Sequence, residues 1–109
     1  MPEVRKILGQ QSPAATTQVA LYTVPASTQS VVSSIVICNR GAASTTYRLS
    51  IAYTGLADAT NQQIVYDATI AANDSIFLTL GLTLGATDLI RCYSASGNVT
   101  FNVFGVEIT

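Results

Sequence analysis

Histidine and tryptophan are absent from this 109-residue chain, and charge is scarce: charged residues make up 10% of it, with a formal net charge of −1. Without histidine, the usual general base and the commonest metal ligand are missing. Neither a Ser-His-Asp nor a Cys-His arrangement can be assembled. The only cysteines, Cys38 and Cys92, are far apart in sequence, so no close thiol pair of the kind that holds zinc exists. The cations Arg5, Lys6, Arg40, Arg48 and Arg91 are scattered, with only Arg5 and Lys6 adjacent. A nucleic-acid surface needs clustered cations to release counterions, so no nucleic-acid partner is expected. No stretch approaches ~20 consecutive apolar residues, so no membrane span or membrane partner is expected. The N-terminal MPEVRKILGQQSPAATT lacks an apolar signal core. The expectation is synthesis in a host cytoplasm, with reduced thiols buried as structural groups.

What stands in place of charge is Thr, Ser, Ala, Asn and Gln, within a composition that is 49% hydrophobic. A polar but weakly charged surface has little self-repulsion and favours association. The length suits one domain, which buries roughly two thirds of the surface its unfolded chain exposes. Asp58, Asp67, Asp74 and Asp88 fall in turns or at strand edges, where Asp commonly forms the turn itself. There is no phosphate-cradling Gly-Lys-Ser/Thr run and no calcium loop. The expectation is no enzyme, no metal and no cofactor.

From Gln18 onward the apolar residues recur with period two. Strands are expected over residues 19–24, 30–39, 45–53, 63–67, 75–80, 88–94 and 99–108, with 81–85 either a strand extension or an apolar loop. The segment 30–39 is richest in β-branched residues: Val31, Ile35 and Ile37 are expected on one face, Val32, Val36 and Cys38 on the other. Tyr47, Leu49, Ile51 and Tyr53 alternate cleanly with Thr46, Arg48, Ser50 and Ala52, as in a half-buried antiparallel strand. Ser96-Gly97-Asn98 reads as a hairpin turn. Residues 1–17 read as an extended arm broken by Gly9 and Pro13, and residues 18–109 as the folded domain. The fold class expected is all-β: an antiparallel sandwich, jelly-roll or immunoglobulin-like, of seven to eight strands with an N-terminal arm. An immunoglobulin-like arrangement would bring Cys38 and Cys92 near each other in the core.

The segments Leu8-Gly9-Gln10, Ser12 to Thr17, Leu21-Tyr22-Thr23-Val24-Pro25-Ala26, Val31 to Gly41, Asp88-Leu89-Ile90-Arg91 and Asn102 to Thr109 follow one another in an order that resembles small structural proteins of tailed bacteriophages, including phages of cyanobacteria. The resemblance spans nearly the whole chain. It implies a virion component, either a cement or decoration protein on the head or a part of the tail, neck or fibre. No catalytic or binding residue comes with it.

The expectation is a capsid decoration protein that binds the major capsid protein, or another virion protein, and copies of itself as a dimer or trimer. The arm residues Val4, Ile7 and Leu8, with Arg5 and Lys6 for charge pairing, are the expected contact residues. A carbohydrate-binding module for the host surface is the alternative from a different class, with Tyr22, Tyr66 and Tyr93 as its candidate aromatics, because tyrosine buries a ring while keeping its hydroxyl wet.

Overall fold

Alternating β-branched and aromatic residues bounded by Gly, Asn, Asp and Pro set the strands of this chain. The computed structural model describes residues 3–109, so the first two residues of the expected arm lie outside it. The strands are β1 (Glu3–Gln11), β2 (Val19–Thr23), β3 (Gln29–Asn39), β4 (Thr45–Ala52), β5 (Gln63–Ile70), β6 (Ser75–Leu78), β7 (Leu82–Leu84), β8 (Leu89–Ser94) and β9 (Val99–Ile108). Helix among the described residues is limited to two 3-10 turns, Tyr53–Gly55 and Thr60–Gln62, in the connection between β4 and β5.

Every strand pairing is antiparallel, and the strands form two sheets. The first runs β1-β9-β3-β6, with β7 also on β3; the second runs β2-β8-β4-β5. β6 pairs with Ile35–Cys38 and β7 with Ser30–Val32, so the two are one interrupted strand along a single edge of β3. With β6 and β7 merged, the first strand pairs with the last, the second with the last but one, and so on inward to the β4–β5 pair. That nested pairing is one long hairpin rolled into two layers, the jelly roll. It selects between the two sandwich types the sequence left open.

The core lies between the layers. Val32, Ile35, Ile37, Val99, Phe101 and Val103 descend from the first sheet onto Tyr22, Tyr47, Leu49, Ile90 and Cys92 of the second. Tyr47 and Phe101 meet edge to face across the interface, ring centroids 6.2 Å apart. Two glycines permit close backbone approach: a Cβ on Gly9 would collide with the Leu21 carbonyl, and one on Gly105 with the Val31 carbonyl.

Four expectations change. First, residues 3–11 are not a free arm but the edge strand β1, laddered onto β9 from Glu3↔Ile108 to Gln11↔Phe101. The ladder satisfies the backbone groups of β9 that would otherwise face outward, and Leu8 packs on the core. Second, Ser96-Gly97-Asn98 is not a hairpin, because β8 and β9 belong to different sheets. The segment arches between layers, with Ala95 N–H donating to Thr46 on one side and Asn98 accepting from Arg40 N–H on the other.

Third, the register of β3 against β9 shifts between Val32 and Ser34. This bulge changes the phase of the strand, so Val32 joins Ile35 and Ile37 inside while Val31, Val36 and Cys38 are half-buried on the other face. The thiols therefore do not meet in the core: Cys92 is buried there from β8, and Cys38 lies on the outer face of the other sheet, both free. Fourth, β4 ends at Ala52, and Tyr53 begins a tight turn whose Thr54 has φ 51°, which leaves Tyr53 72% exposed rather than in line with Leu49.

Candidate functional site

Two surfaces carry features that the core does not explain. The first is the outer face of the first sheet. In an antiparallel ladder, directly paired residues share a face. Ile7 pairs with Phe104, Arg5 with Val106, Val106 with Val31, and Val36 with Phe77. Ile7 is 52% and Phe77 71% exposed, and Phe104, Val106, Val31 and Val36 between them are half-buried. The result is a largely apolar face across β1, β9, β3 and β6, with Ser34 paired to Phe104 and Asn102 to Val36 among the apolar side chains, and no covering layer among the described residues.

The five expected contact residues divide across this geometry. Arg5 and Ile7 sit on the apolar outer face by their pairing. Val4 is exposed, in register with Glu107. Lys6 is held in an ion pair, Nζ to Glu107 Oε1 at 2.9 Å. Leu8 is committed to packing on the core. The structure sets Ile7 against Phe104 and Val36 against Phe77 on one face; Phe104 and Val36 did not stand out in sequence because β3 and β9 are apolar on both faces.

The second surface is on the outside of the second sheet. Arg48, on β4, lies with its guanidinium carbon 4.4 Å from the ring centroid of Tyr66 and 4.3 Å from that of Tyr93. Asp67 fixes its orientation by accepting from Nε at 2.7 Å and from Nη2 at 3.3 Å. That pairing holds the guanidinium in its charged form. Asp67 can reach it because the backbone there adopts φ 53° at an irregularity where β5 slips against β4. Beside this stack is a groove of about 620 Å³ lined by Arg48, Asp58, Ala59, Thr60, Gln63 and Tyr66. The connection between β4 and β5 forms its wall and is tied down by Arg91, whose Nη2 donates to the Leu56 carbonyl at 2.9 Å and Nη1 to Gln62 Oε1 at 3.3 Å.

Of the three candidate tyrosines, the structure places Tyr66 on the groove, 61% exposed, and Tyr93 behind Arg48. Tyr22 is not available to a ligand: it is 7% exposed and hydrogen-bonded to Ser30 and Glu107 inside the sandwich. The groove residues Arg48, Asp58, Thr60 and Gln63 were missed as a group. The one available signal was an outward-facing Arg in a strand otherwise read as Thr, Ser and Ala on that face.

The turn carboxylates are occupied. Asp88 accepts from the backbone N–H groups of Thr54 and Gly85, both at 2.8 Å, joining two loops, and Asp74 accepts from Ser75 N–H at 2.8 Å. Among the described residues, no three His, Cys, Asp or Glu side chains gather as a metal site, and no helix is long and apolar enough to cross a membrane.

These features define a jelly-roll domain with an open apolar sheet face and a polar groove on the opposite layer. Chains of similar fold occur in virus particles. One in the structure of the infectious bursal disease virus Gx strain aligns with a TM-score of 0.56 and 8% identity, over 97% of this chain and 32% of that one. One from the Gt strain aligns with a TM-score of 0.54 and 10% identity, over 96% and 31%. This chain thus spans about a third of the length of those it matches. At such identity the likeness concerns the fold. No protein-family model and no curated protein matches the sequence.

Proposed function

We propose that the protein is a structural component of a virus particle, a cement or decoration protein that binds the shell and copies of itself. The observation that carries this reading is the uncovered outer face of the first sheet, where the pairs Ile7–Phe104 and Val36–Phe77 lie open beside Val31 and Val106. Monomeric proteins rarely leave contiguous apolar area open unless something docks there. Stable interfaces draw on such a face, with a core depleted in charge. A chain with only 10% charged residues adds little repulsion between neighbouring copies.

The fold supports the reading without fixing it, since jelly rolls serve as viral capsid and as lectin domains alike. The likeness to chains of an infectious bursal disease virus particle points the same way, as does the sequence resemblance to phage structural proteins. The major capsid protein is the proposed partner; a tail, neck or fibre position is the second place for the same chemistry. Binding at many repeated lattice sites lets modest contacts add up. The role needs adhesion and rigidity, and no catalytic step.

Quantitative mass spectrometry of purified particles, with localisation of the chain by electron cryomicroscopy, tests this. A decoration protein is present in numbers comparable with the major capsid protein, and its density rests on the shell through the β1-β9-β3-β6 face. A tail or neck part is present in far fewer copies. Absence from particles overturns the reading.

A further inference from the structure

We propose that the groove beside Arg48 binds a neutral oligosaccharide, with Tyr66 as its stacking platform. One face of the Tyr66 ring lies against the Arg48 guanidinium at 4.4 Å, yet the residue is 61% exposed, so the opposite face is open. A pyranose presents an apolar C–H face that stacks on such a ring, and equatorial hydroxyls that need donors and acceptors around its rim. The groove supplies both kinds at its wall and floor: Arg48 donates, the Asp58 carboxylate accepts, and Thr60 and Gln63 can do either.

Two details favour a ligand over a merely structural stack. Asp67 takes Nε and one Nη2 hydrogen of Arg48, while Nη1 has no hydrogen-bond partner among the described residues. The guanidinium is thus already oriented, with donors to spare, at no cost on binding. Gln63 also has an unmet need: its Oε1 is buried without a donor. Rotation of that amide towards a ligand hydroxyl would satisfy it.

Charge selects the class of sugar. Arg48 and Arg91 are offset by Asp58 and Asp67 around the same groove, so the site offers no net positive field to a carboxylated or sulfated ligand. The volume of about 620 Å³ suits one or two sugar rings. Another hollow, about 370 Å³ beside Gln10, Ser12 and Asn102, has neither a charged side chain nor an exposed ring in its lining.

The test is a glycan array carrying neutral and sialylated oligosaccharides, followed by titration of the array hits and of lactose, maltose and cellobiose into isotopically labelled full-length protein, watched by NMR. Neutral sugars are expected to shift the Arg48 Nε–H, the Gln63 side-chain amide and the Thr60 amide, with little dependence on salt. Tyr66→Ala should weaken binding about tenfold or more while lowering the thermal unfolding temperature by only a few degrees, because the ring is largely exposed and loses only its contact with Arg48. Asp58→Asn provides a second variant that keeps the groove's shape. No response to any neutral sugar, responses mapping elsewhere, or unchanged affinity in Tyr66→Ala overturns the proposal. Phe77→Ser, on the opposite layer, should leave sugar binding intact, and Tyr66→Ala should leave particle association intact, so failure of this proposal is separable from failure of the assembly reading.

Discussion

The Tyr22 hydroxyl donates to Glu107 Oε2 at 2.6 Å and lies 2.6 Å from Ser30 Oγ, so one phenol ties β2 of the second sheet to β9 and β3 of the first. Lys6 closes the set from β1 through its ion pair with Glu107. The hydrogen bond from Tyr22, and then that from Lys6, hold the Glu107 carboxyl below its ordinary value. A carboxylate with a depressed folded pKa stabilises the native state fully above the ordinary carboxylate range, about 4.3. That stabilisation is lost as pH falls through the lower folded value. Glu107→Gln should therefore unfold at a lower temperature than the parent at pH 7, and the gap should close in acid below pH ~4. Melting curves across pH 3 to 7 check this; a gap that stays constant with pH refutes the role of the carboxylate.

Tyr22 also bears on stability in alkali, together with Cys92 of the core. Burial, reinforced by Glu107, pushes the Tyr22 phenol up to about 12, and burial pushes the Cys92 thiol up to about 12. Both groups are neutral when protonated, so the folded state holds protons that the unfolded chain releases. Stability begins to fall as pH approaches the ordinary thiol value, about 8.5, and goes on falling until both groups ionise near pH 12. Tyr22→Phe should flatten the decline, at a cost at neutral pH of roughly 1–3 kcal/mol from the lost hydrogen bond to a charged acceptor. Urea titrations at pH 8, 10 and 11 measure it.

The two thiols should differ in reactivity. Cys92 is buried in the core with its ionisation suppressed, whereas Cys38 is half-buried on the outer sheet face beside Val36 and Phe77. In native protein, iodoacetamide should label Cys38 first and Cys92 only on global opening. If particle assembly covers that face, Cys38 should become protected in assembled particles. Mass spectrometry of the labelled peptides before and after assembly reads both outcomes.

Much of the fold was legible because strand alternation is a local property. Residues such as Tyr47, Leu49, Phe101 and Val103 declare their inward face without knowledge of a partner strand. Three things were not local. The bulge at Val32–Ser34 inverts the phase of β3, and no composition cue marks it in a run apolar on both sides. The role of β1 depends on an open edge of β9 about a hundred residues away in sequence, and Gly9, which reads as a breaker, is there to let the Leu21 carbonyl approach. The stack beside the groove forms only when Arg48, Tyr66 and Tyr93 from three neighbouring strands come into register, which their scattered positions in the chain do not disclose.

Core and surface aromatics should separate stability from assembly. Phe101 is fully buried against Tyr47, and Phe101→Ala should cost about 3–5 kcal/mol, lowering the melting temperature by well over ten degrees. Phe77, 71% exposed, makes few contacts to lose, so Phe77→Ser should stay within about 0.5 kcal/mol of the parent. The same Phe77→Ser substitution should reduce loading onto particles if the apolar face is the contact. A variant that melts normally yet loads fully would remove Phe77 from the interface.

The edge strand leads to the sharpest test of how the chain is built. A dispensable arm could be cut away, leaving a folded domain that only fails to associate. A laddered β1 predicts otherwise. Removing residues 1–12 deletes the partner of β9 from Glu3↔Ile108 to Gln11↔Phe101, removes the Lys6 ion pair, and strips Leu8 from the core. It also bares the long edge of β9, a strand apolar on both faces and a ready template for intermolecular pairing. The truncated protein should lose several kcal/mol of stability and form oligomers or aggregates under conditions where the full chain stays dispersed. A synthetic peptide spanning residues 3–11 should rescue it by strand addition. Light scattering with and without that peptide decides the matter. A truncated chain that is monomeric and melts like the parent would mean that β1 contributes little to the sandwich, and the contact residues on it would again read as a free docking arm.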